Sequence, residues 1–367
     1  MHESYSEISL PLRSDPSLFE KFINAVGGIR TGRLMEYLDS LAGSIAYKHI
    51  LGQEVQSLGP IEERGLYVVT AAVDRLDMLQ PLASWKAVAD LRLSGNVIFT
   101  GRSSMEIAVK MEALHPDAEP LTVMIGRFSM VCRDAHTHTA HAVNALTLST
   151  PDEKQLFSIG EGHQKRKKAM SLMSLDRVPP SSEEAKVLHD YQLAHSRGDQ
   201  TPGTAFLPME GTHLQNCFMM FPQERNVHGK VFGGYLMRLA YELAYANASL
   251  FAHRPMRFLS LDDISFRRPV NIGSIVRLTS LVAHSTSNEV YPAVIHVRVQ
   301  ADVLDIVTGS AQTTNDFRFT WCADDGAPLS RSVVPVTYQG VFQAMMWLEA
   351  RRALAMGDEI RGLRSGA

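Results

Sequence analysis

The residues of this chain whose types and spacing could do chemistry fall into two small groups. The first is a single acid. Asp39 is flanked by Leu38 and Leu41 in a segment whose apolar residues nearly fill the surface of a helix. A carboxylate buried alone is costly, so it needs either a hydrogen-bonding partner or a task in proton transfer. The second group is a turn, Asn226-Val-His228-Gly229, which leads into Gly233-Gly234 and another apolar helical segment. Backbone N–H groups at such a helix start favour negative charge, and glycine lets a ligand approach the backbone closely. Each residue also has a plainer reading. Asp39 could be a structural acid. Asn24 and Asn226 suit Asx-turn positions, and His228 could bond within its own turn or meet a substrate.

These residues are positioned by a repeat. The stretch from Asn24 to Ala42 matches the stretch from Asn226 to Ala244 without a gap, at a constant offset of 202 (226 − 24). Asn24/Asn226, Gly27/Gly229, Gly32/Gly234, Leu34/Leu236 and Met35/Met237 are identical pairs, while Asp39 is matched by Tyr241. The segments LRLSGNV (91–97) and VRLTSLV (276–282) align further on, at an offset of 185. Two long collinear copies make the chain a duplicated domain. In each copy the helical period gives way to alternation. Met105, Ile107, Val109 and Met111 interleave with Glu106, Ala108, Lys110 and Glu112, as expected for antiparallel strands with one covered face. Each copy therefore reads as one very apolar helix followed by four or five strands. Between them, Ser181-x-x-Glu184 predicts a capping box for a connector helix, and 339–363 predicts an amphipathic tail helix packed on the outside.

Composition narrows the partners. The 367 residues suffice for two domains. With 36 Lys+Arg against 39 Asp+Glu, the formal net charge of −3 offers no global field for nucleic acid or anionic membrane. Three widely spaced cysteines without a Cys-x-x-Cys pair argue against a disulfide framework or zinc ribbon and for a reducing compartment. No apolar run is long enough to span a bilayer, and the first residues carry no secretory h-region. The expectation is an intracellular protein of cytoplasm or mitochondrion, with no clear presequence and no stable membrane insertion. His136, His138 and His141 read as a solvated turn rather than a metal site. Lys165-Arg-Lys-Lys168 reads as a solvated helix face, with contact to the phosphates of a ligand as the alternative. No metal and no cofactor are expected.

The motif Asn226-Val-His-Gly-Lys-Val-Phe-Gly-Gly-Tyr-Leu-Met, with Leu-Asp-Asp-Ile-Ser-Phe-Arg-Arg-Pro-Val (261–270), resembles the tandem hotdog-fold acyl-CoA thioesterases. Gly32-Arg-Leu-Met-Glu-Tyr-Leu-Asp-Ser-Leu-Ala and Gly101-Arg-Ser-Ser-Met-Glu106 are closer still to the acyl-coenzyme A thioesterase 9 branch. The resemblance covers about residues 5–330. It implies an α+β fold of two tandem hotdog domains, each an antiparallel sheet wrapped around a central apolar helix. The ranges expected are a hotdog over 5–170, a connector over 171–205, a second hotdog over 206–330 and a helical tail over 331–367. It also implies hydrolysis of acyl-CoA to a free carboxylic acid and coenzyme A, at a site where the two halves meet. An Asn from the turn of one half works there with an Asp from the helix of the other. Carried over, Asp39 pairs with Asn226; the helix-start amides of Gly233 and Gly234 are the oxyanion candidates, and His228 and Gly229 are the substrate-binding candidates of the same turn. Arg102, Ser103 and Ser104 take phosphate or pantetheine. The reciprocal set, Asn24 with Tyr241, lacks an acid unless Glu242 supplies one, so one competent and one degenerate site are expected. The alternatives are a hotdog hydratase or dehydratase using His228, and a non-catalytic acyl-CoA-binding protein. Relatives associate further, which implies a homo-oligomer, a trimer of double hotdogs.

Overall fold

Both periodicities become elements of the expected kind. The structure is a computed structural model that describes residues 1–25, 27–52, 54, 61–80, 89–116, 118–175, 177–197, 205–335 and 340–365. The first copy runs β1 (Ser6–Leu10), α1 (Pro16–Phe19), α2 (Thr31–Leu51), α3 (Ile61–Arg64), β2 (Leu66–Met78), β3 (Asp90–Thr100), β4 (Ser104–Leu114), β5 (Leu121–Asp134) and α4 (Pro151–Leu172). After the connector helix α5 (Ser182–Arg197) and the short β6 (Ala205–Pro208), the second copy runs β7 (Leu214–Met219), α6 (Gly233–Ala252), β8 (Arg257–Phe266), β9 (Ile275–Thr286), β10 (Ala293–Leu304) and β11 (Ala311–Ala323). It closes with β12 (Arg331–Val334) and α7 (Gly340–Ser365). The first copy's strands hydrogen-bond in the order β1-β3-β4-β5-β2, and the second copy's follow the same scheme, β7-β9-β10-β11-β8.

Compactness groups the residues differently from sequence similarity. One unit holds Met1–Lys165, Met219–Leu239 and Asp263–Ser274; the other holds Arg166–Phe218, Ala240–Asp262 and Ile275–Ala367.

In the first unit α2 has almost no polar face because the sheet curves around it. Leu34, Met35, Leu38, Leu41, Ala42 and Ile45 are each at most 1% exposed, and each large aliphatic among them contributes about 2 kcal/mol of transfer free energy. The curvature has a local source. β2 carries register shifts at Thr70/Ala72 and Val73/Arg75, and such bulges bend a strand and increase its twist. The alternation of β4 predicts a solvated outer face, and here the structure differs. α4 lies over that face, with Phe157 against Phe99 at 5.2 Å and His163 Nδ1 2.9 Å from Glu106 Oε1, so Glu106 is 0% exposed. Period 2 tells which residues share a face but not whether a later helix covers it.

The second unit repeats the device with α7. The Trp347 ring packs 4.9 Å from His284 of β9, and Arg318 of β11 reaches Glu349 at 2.8 Å. The capping box forms as the spacing requires: Ser181 N–H donates to Glu184 Oε2 at 2.9 Å, and Glu184 N–H to Ser181 Oγ at 3.2 Å. The end of the expected connector, 198–204, lies outside the described residues.

One core position of this unit is mismatched. Asn315 is 1% exposed, and neither its Oδ1 nor its Nδ2 has a hydrogen-bond partner among the described residues. It pairs with Ala301 across the β10–β11 ladder as Met124 pairs with Met111 in the first copy. An unsatisfied buried amide costs about 1–3 kcal/mol, whereas an apolar group of similar shape does not. Asn315→Leu should therefore raise Tm in calorimetry, by the equivalent of about 1 kcal/mol; a lower Tm would mean that the amide is satisfied.

Candidate active site

Asp39 sits on α2 where the helix passes β2, and it is 3% exposed. Its Oδ1 accepts the Thr70 hydroxyl at 2.8 Å, and its Oδ2 accepts the Gly234 N–H at 2.7 Å. Gly234 belongs to the first turn of α6, so the carboxylate lies at the positive end of a second helix. Burial pushes the Asp39 carboxyl up to about 6, while the Thr70 hydroxyl and the Gly234 N–H pull the other way by favouring the anion. The result is an acid mostly ionised at neutral pH yet basic enough to accept a proton, the property a general base needs.

The close approach depends on the absence of a side chain. A Cβ built on Gly234 would stand 2.8 Å from the Cα of Glu36 and 2.7 Å from the Phe232 ring, and one on Gly233 would meet Asp39 Oδ2 at 3.1 Å. Gly234 N–H is committed to Asp39. Of the two glycine amides expected to serve an oxyanion, that of Gly234 donates to the acid in this structure.

Asn24 and Asn226 build the same turn twice. Asn24 N–H donates to Gly28 O at 2.8 Å and Asn226 N–H to Lys230 O at 2.7 Å; Gly27 and Gly229 N–H groups donate back to the two Asn carbonyls at 3.1 Å in each case. Gly27 and Gly229 take φ of +82° and +68°, the region where glycine is favoured. The side chains close the turns as well: Asn24 Oδ1 accepts from Gly28 N–H at 2.8 Å, and Asn226 Oδ1 from His228 and Lys230 N–H at 2.9 and 3.1 Å. The turn role of both residues is thus present. No hydrogen bond joins Asn226 to Asp39 among the described residues.

His228 ties this turn to β2. Its Nε2 is 2.9 Å from Val68 O and 3.3 Å from Tyr47 Oη, and its ring centre lies 5.2 Å from that of Tyr67. A carbonyl only accepts, so Nε2 carries the proton. Burial holds the imidazole below its ordinary value, with the Val68 carbonyl opposing and Arg64 reinforcing the shift, so the ring is neutral at pH 7.

Arg102 and Ser103 lie in the β3–β4 connection and Ser104 opens β4; Ser103 O accepts from Cys132 N–H at 2.9 Å, and the three hydrogen-bond neither Asp39 nor Gly234 among the described residues. Tyr241, the counterpart of Asp39, packs in the second unit among Trp321 (4.9 Å) and Phe258 (5.4 Å). Glu242 follows it, half-buried. His136, His138 and His141 are in the turn after β5, and no cluster of metal-ligating residues occurs among the described residues. Lys165 to Lys168 lie on α4 with Lys165 paired to Glu161 at 3.2 Å. Sequence reasoning missed Thr70, whose strand pattern carries no distinguishing signal. It also missed Glu36 and Arg238, whose opposite charges at one repeat position were visible in the alignment.

No family model matches the chain. Among curated proteins, it is 35% identical to acyl-coenzyme A thioesterase 9, mitochondrial, of Mus musculus over 96% of this chain and 77% of that protein. The Homo sapiens protein of the same name is 36% identical over the same shares. A solved structure from Lactobacillus plantarum, an oleoyl thioesterase by provisional assignment, aligns with a TM-score of 0.52 at 8% identity, covering 88% of this chain and 96% of that one. At that identity the likeness speaks for the fold, an α+β hotdog architecture. No helix among the described residues is long and apolar enough to cross a membrane.

Proposed function

Because the chain belongs to the acyl-coenzyme A thioesterase 9 family, we propose that it hydrolyses acyl-CoA to a free carboxylic acid and coenzyme A with Asp39 as general base. The observation that carries this reading is the buried Asp39 carboxylate, held by Thr70 and Gly234 with its pKa raised to about 6. Asp39 takes a proton from the attacking water. Asn226 acts through its amide nitrogen, since its Oδ1 is already spent on the turn. With the Gly233 N–H, that amide polarises the thioester carbonyl and holds the charge that develops on its oxygen. Neutral His228 supports the turn that carries Asn226, and Arg102, Ser103 and Ser104 are assigned to coenzyme A on family resemblance. The second copy is assigned a degenerate site, a reading supported by the aromatic packing of Tyr241. Hydration of an enoyl-CoA and non-catalytic binding are disfavoured: the first because His228 is engaged with β2, the second because Asp39 retains the form of a base.

The domain ranges 5–170 and 206–330 are kept as the evolutionary units of this reading, and the chain is assigned to a homotrimer of double hotdogs. A mitochondrial site of action is favoured over a cytoplasmic one by the relatives' names.

Thiol release from acyl-CoAs of graded chain length, read beside hydration of an enoyl-CoA, tests the reaction. Release of coenzyme A from at least one chain length is expected, and Asn226→Ala should reduce kcat by on the order of a hundredfold with the fold retained. Hydration without thiol release, or binding without either, would replace the thioesterase reading.

A further inference from the structure

Glu36 and Arg238 occupy the same position of the two copies (36 + 202 = 238), and they touch: Arg238 Nε is 2.6 Å from Glu36 Oε1. The duplication thus brings equivalent residues of the two copies into direct contact. Two identical copies would set like charge against like charge there. Only a chain whose copies have diverged can place a carboxylate opposite a guanidinium. The pair is largely buried, with side-chain exposures of 10% for Glu36 and 13% for Arg238, and Arg33 Nη1 at 2.6 Å occupies the second carboxylate oxygen.

The pair also flanks the hydrogen bond that defines the site. Asp39 follows Glu36 by three residues on α2, and Gly234 precedes Arg238 by four on α6, so each partner is about one helical turn away. Gly234 permits the close approach to Glu36 Cα but does not enforce it, since a helix beginning with two glycines resists displacement weakly. A buried, doubly bonded carboxylate resists it strongly. We infer that the Glu36–Arg238 ion pair is the positioning device that holds the Gly234 N–H on Asp39. The inference rests on Asp39 being the base only for its catalytic consequence; the geometric consequence stands by itself. The groups facing Asp39 are the Thr70 hydroxyl from β2 and the Gly234 N–H from α6, with Glu36 and Arg33 on its own helix and Arg238 on α6 as the neighbouring charges.

The test uses the full chain and two readouts. Amide hydrogen exchange at Gly234 reports the bond without reference to activity, and the pH profile of kcat reports the acid. In Arg238→Gln, exchange at Gly234 should quicken by roughly tenfold and kcat should fall by about as much, with KM within about twofold. The acid limb of the kcat profile should move up by about one unit, because an anion that loses a donor is protonated more easily. The conservative variant Arg238→Lys should retain most of the exchange protection and the wild-type limb, because its ammonium can still pair with Glu36 while Arg33 keeps its own carboxylate oxygen. Wild-type exchange and limb in Arg238→Gln overturn the inference, as does a folded Arg238→Lys that exchanges as fast as Arg238→Gln. Should Arg238→Gln fail to fold, Glu36→Gln is read in the same two ways. Should the wild-type chain release no thiol, the proposed function falls while the exchange result still decides on the ion pair.

Discussion

Replacing Asp39 by asparagine is expected to lower kcat by roughly a thousandfold, the scale of a lost general base, and at the same time to make the protein more stable at alkaline pH. The two effects share one cause. Burial raises the folded-state pKa of Asp39 from 3.8 to about 6. A raised acid favours the folded state while protonated, and that advantage is lost as pH rises from the unfolded value through the folded one. Between about pH 4 and pH 6 the chain therefore forfeits about 3 kcal/mol, the product of the shift and about 1.36 kcal/mol per unit. The amide introduced by Asp39→Asn would carry no such burden: its oxygen can accept the Gly234 N–H, and its Nδ2 can donate to the Thr70 oxygen. Denaturant titrations at about pH 4 and pH 8 read the difference. The variant should match wild type in acid and exceed it in alkali, and a deficit at both would mean that the carboxylate is structural.

Gly234→Ala is the second large effect. The new methyl would press on the backbone of Glu36 at 2.8 Å and on the Phe232 ring at 2.7 Å, and only the ring has anywhere to go. The starts of α2 and α6 must separate. Overpacking of this kind costs about 1–3 kcal/mol. Even a small separation stretches the 2.7 Å bond between Gly234 N–H and Asp39. Turnover should fall by about a hundredfold, since small misplacements of reacting groups carry costs of that size. The measurement pairs a melting curve with thiol release. Full activity in a folded Gly234→Ala protein would show that the approach of the two helices is incidental to catalysis.

Much of this was legible before any coordinates. The apolar runs around Leu34–Ala42 and Leu236–Ala244 predicted two helices buried on most sides, and the alternation from Met105 to Glu112 predicted the strand that β4 forms. The repeat anticipated two turns of one geometry, and Asn24 and Asn226 build them with matching backbone bonds. What escaped was long-range. Glu106 reads as a solvent-facing strand residue because nothing within β4 announces that α4 will lie over it. Thr70 reads as one more β-branched strand residue, although its hydroxyl is half of what holds Asp39.

The linear order of residues thus determined the periodicities, the turns, the duplication and an acid that breaks an apolar face, because each is a relation among neighbours or between aligned copies. Tertiary structure alone decided what that acid touches. The Gly234 N–H arrives from 195 positions away, the Arg238 guanidinium reaches Glu36 from 202, and the rise of the Asp39 pKa to about 6 comes from desolvation, which exists only once the chain has closed around the carboxylate.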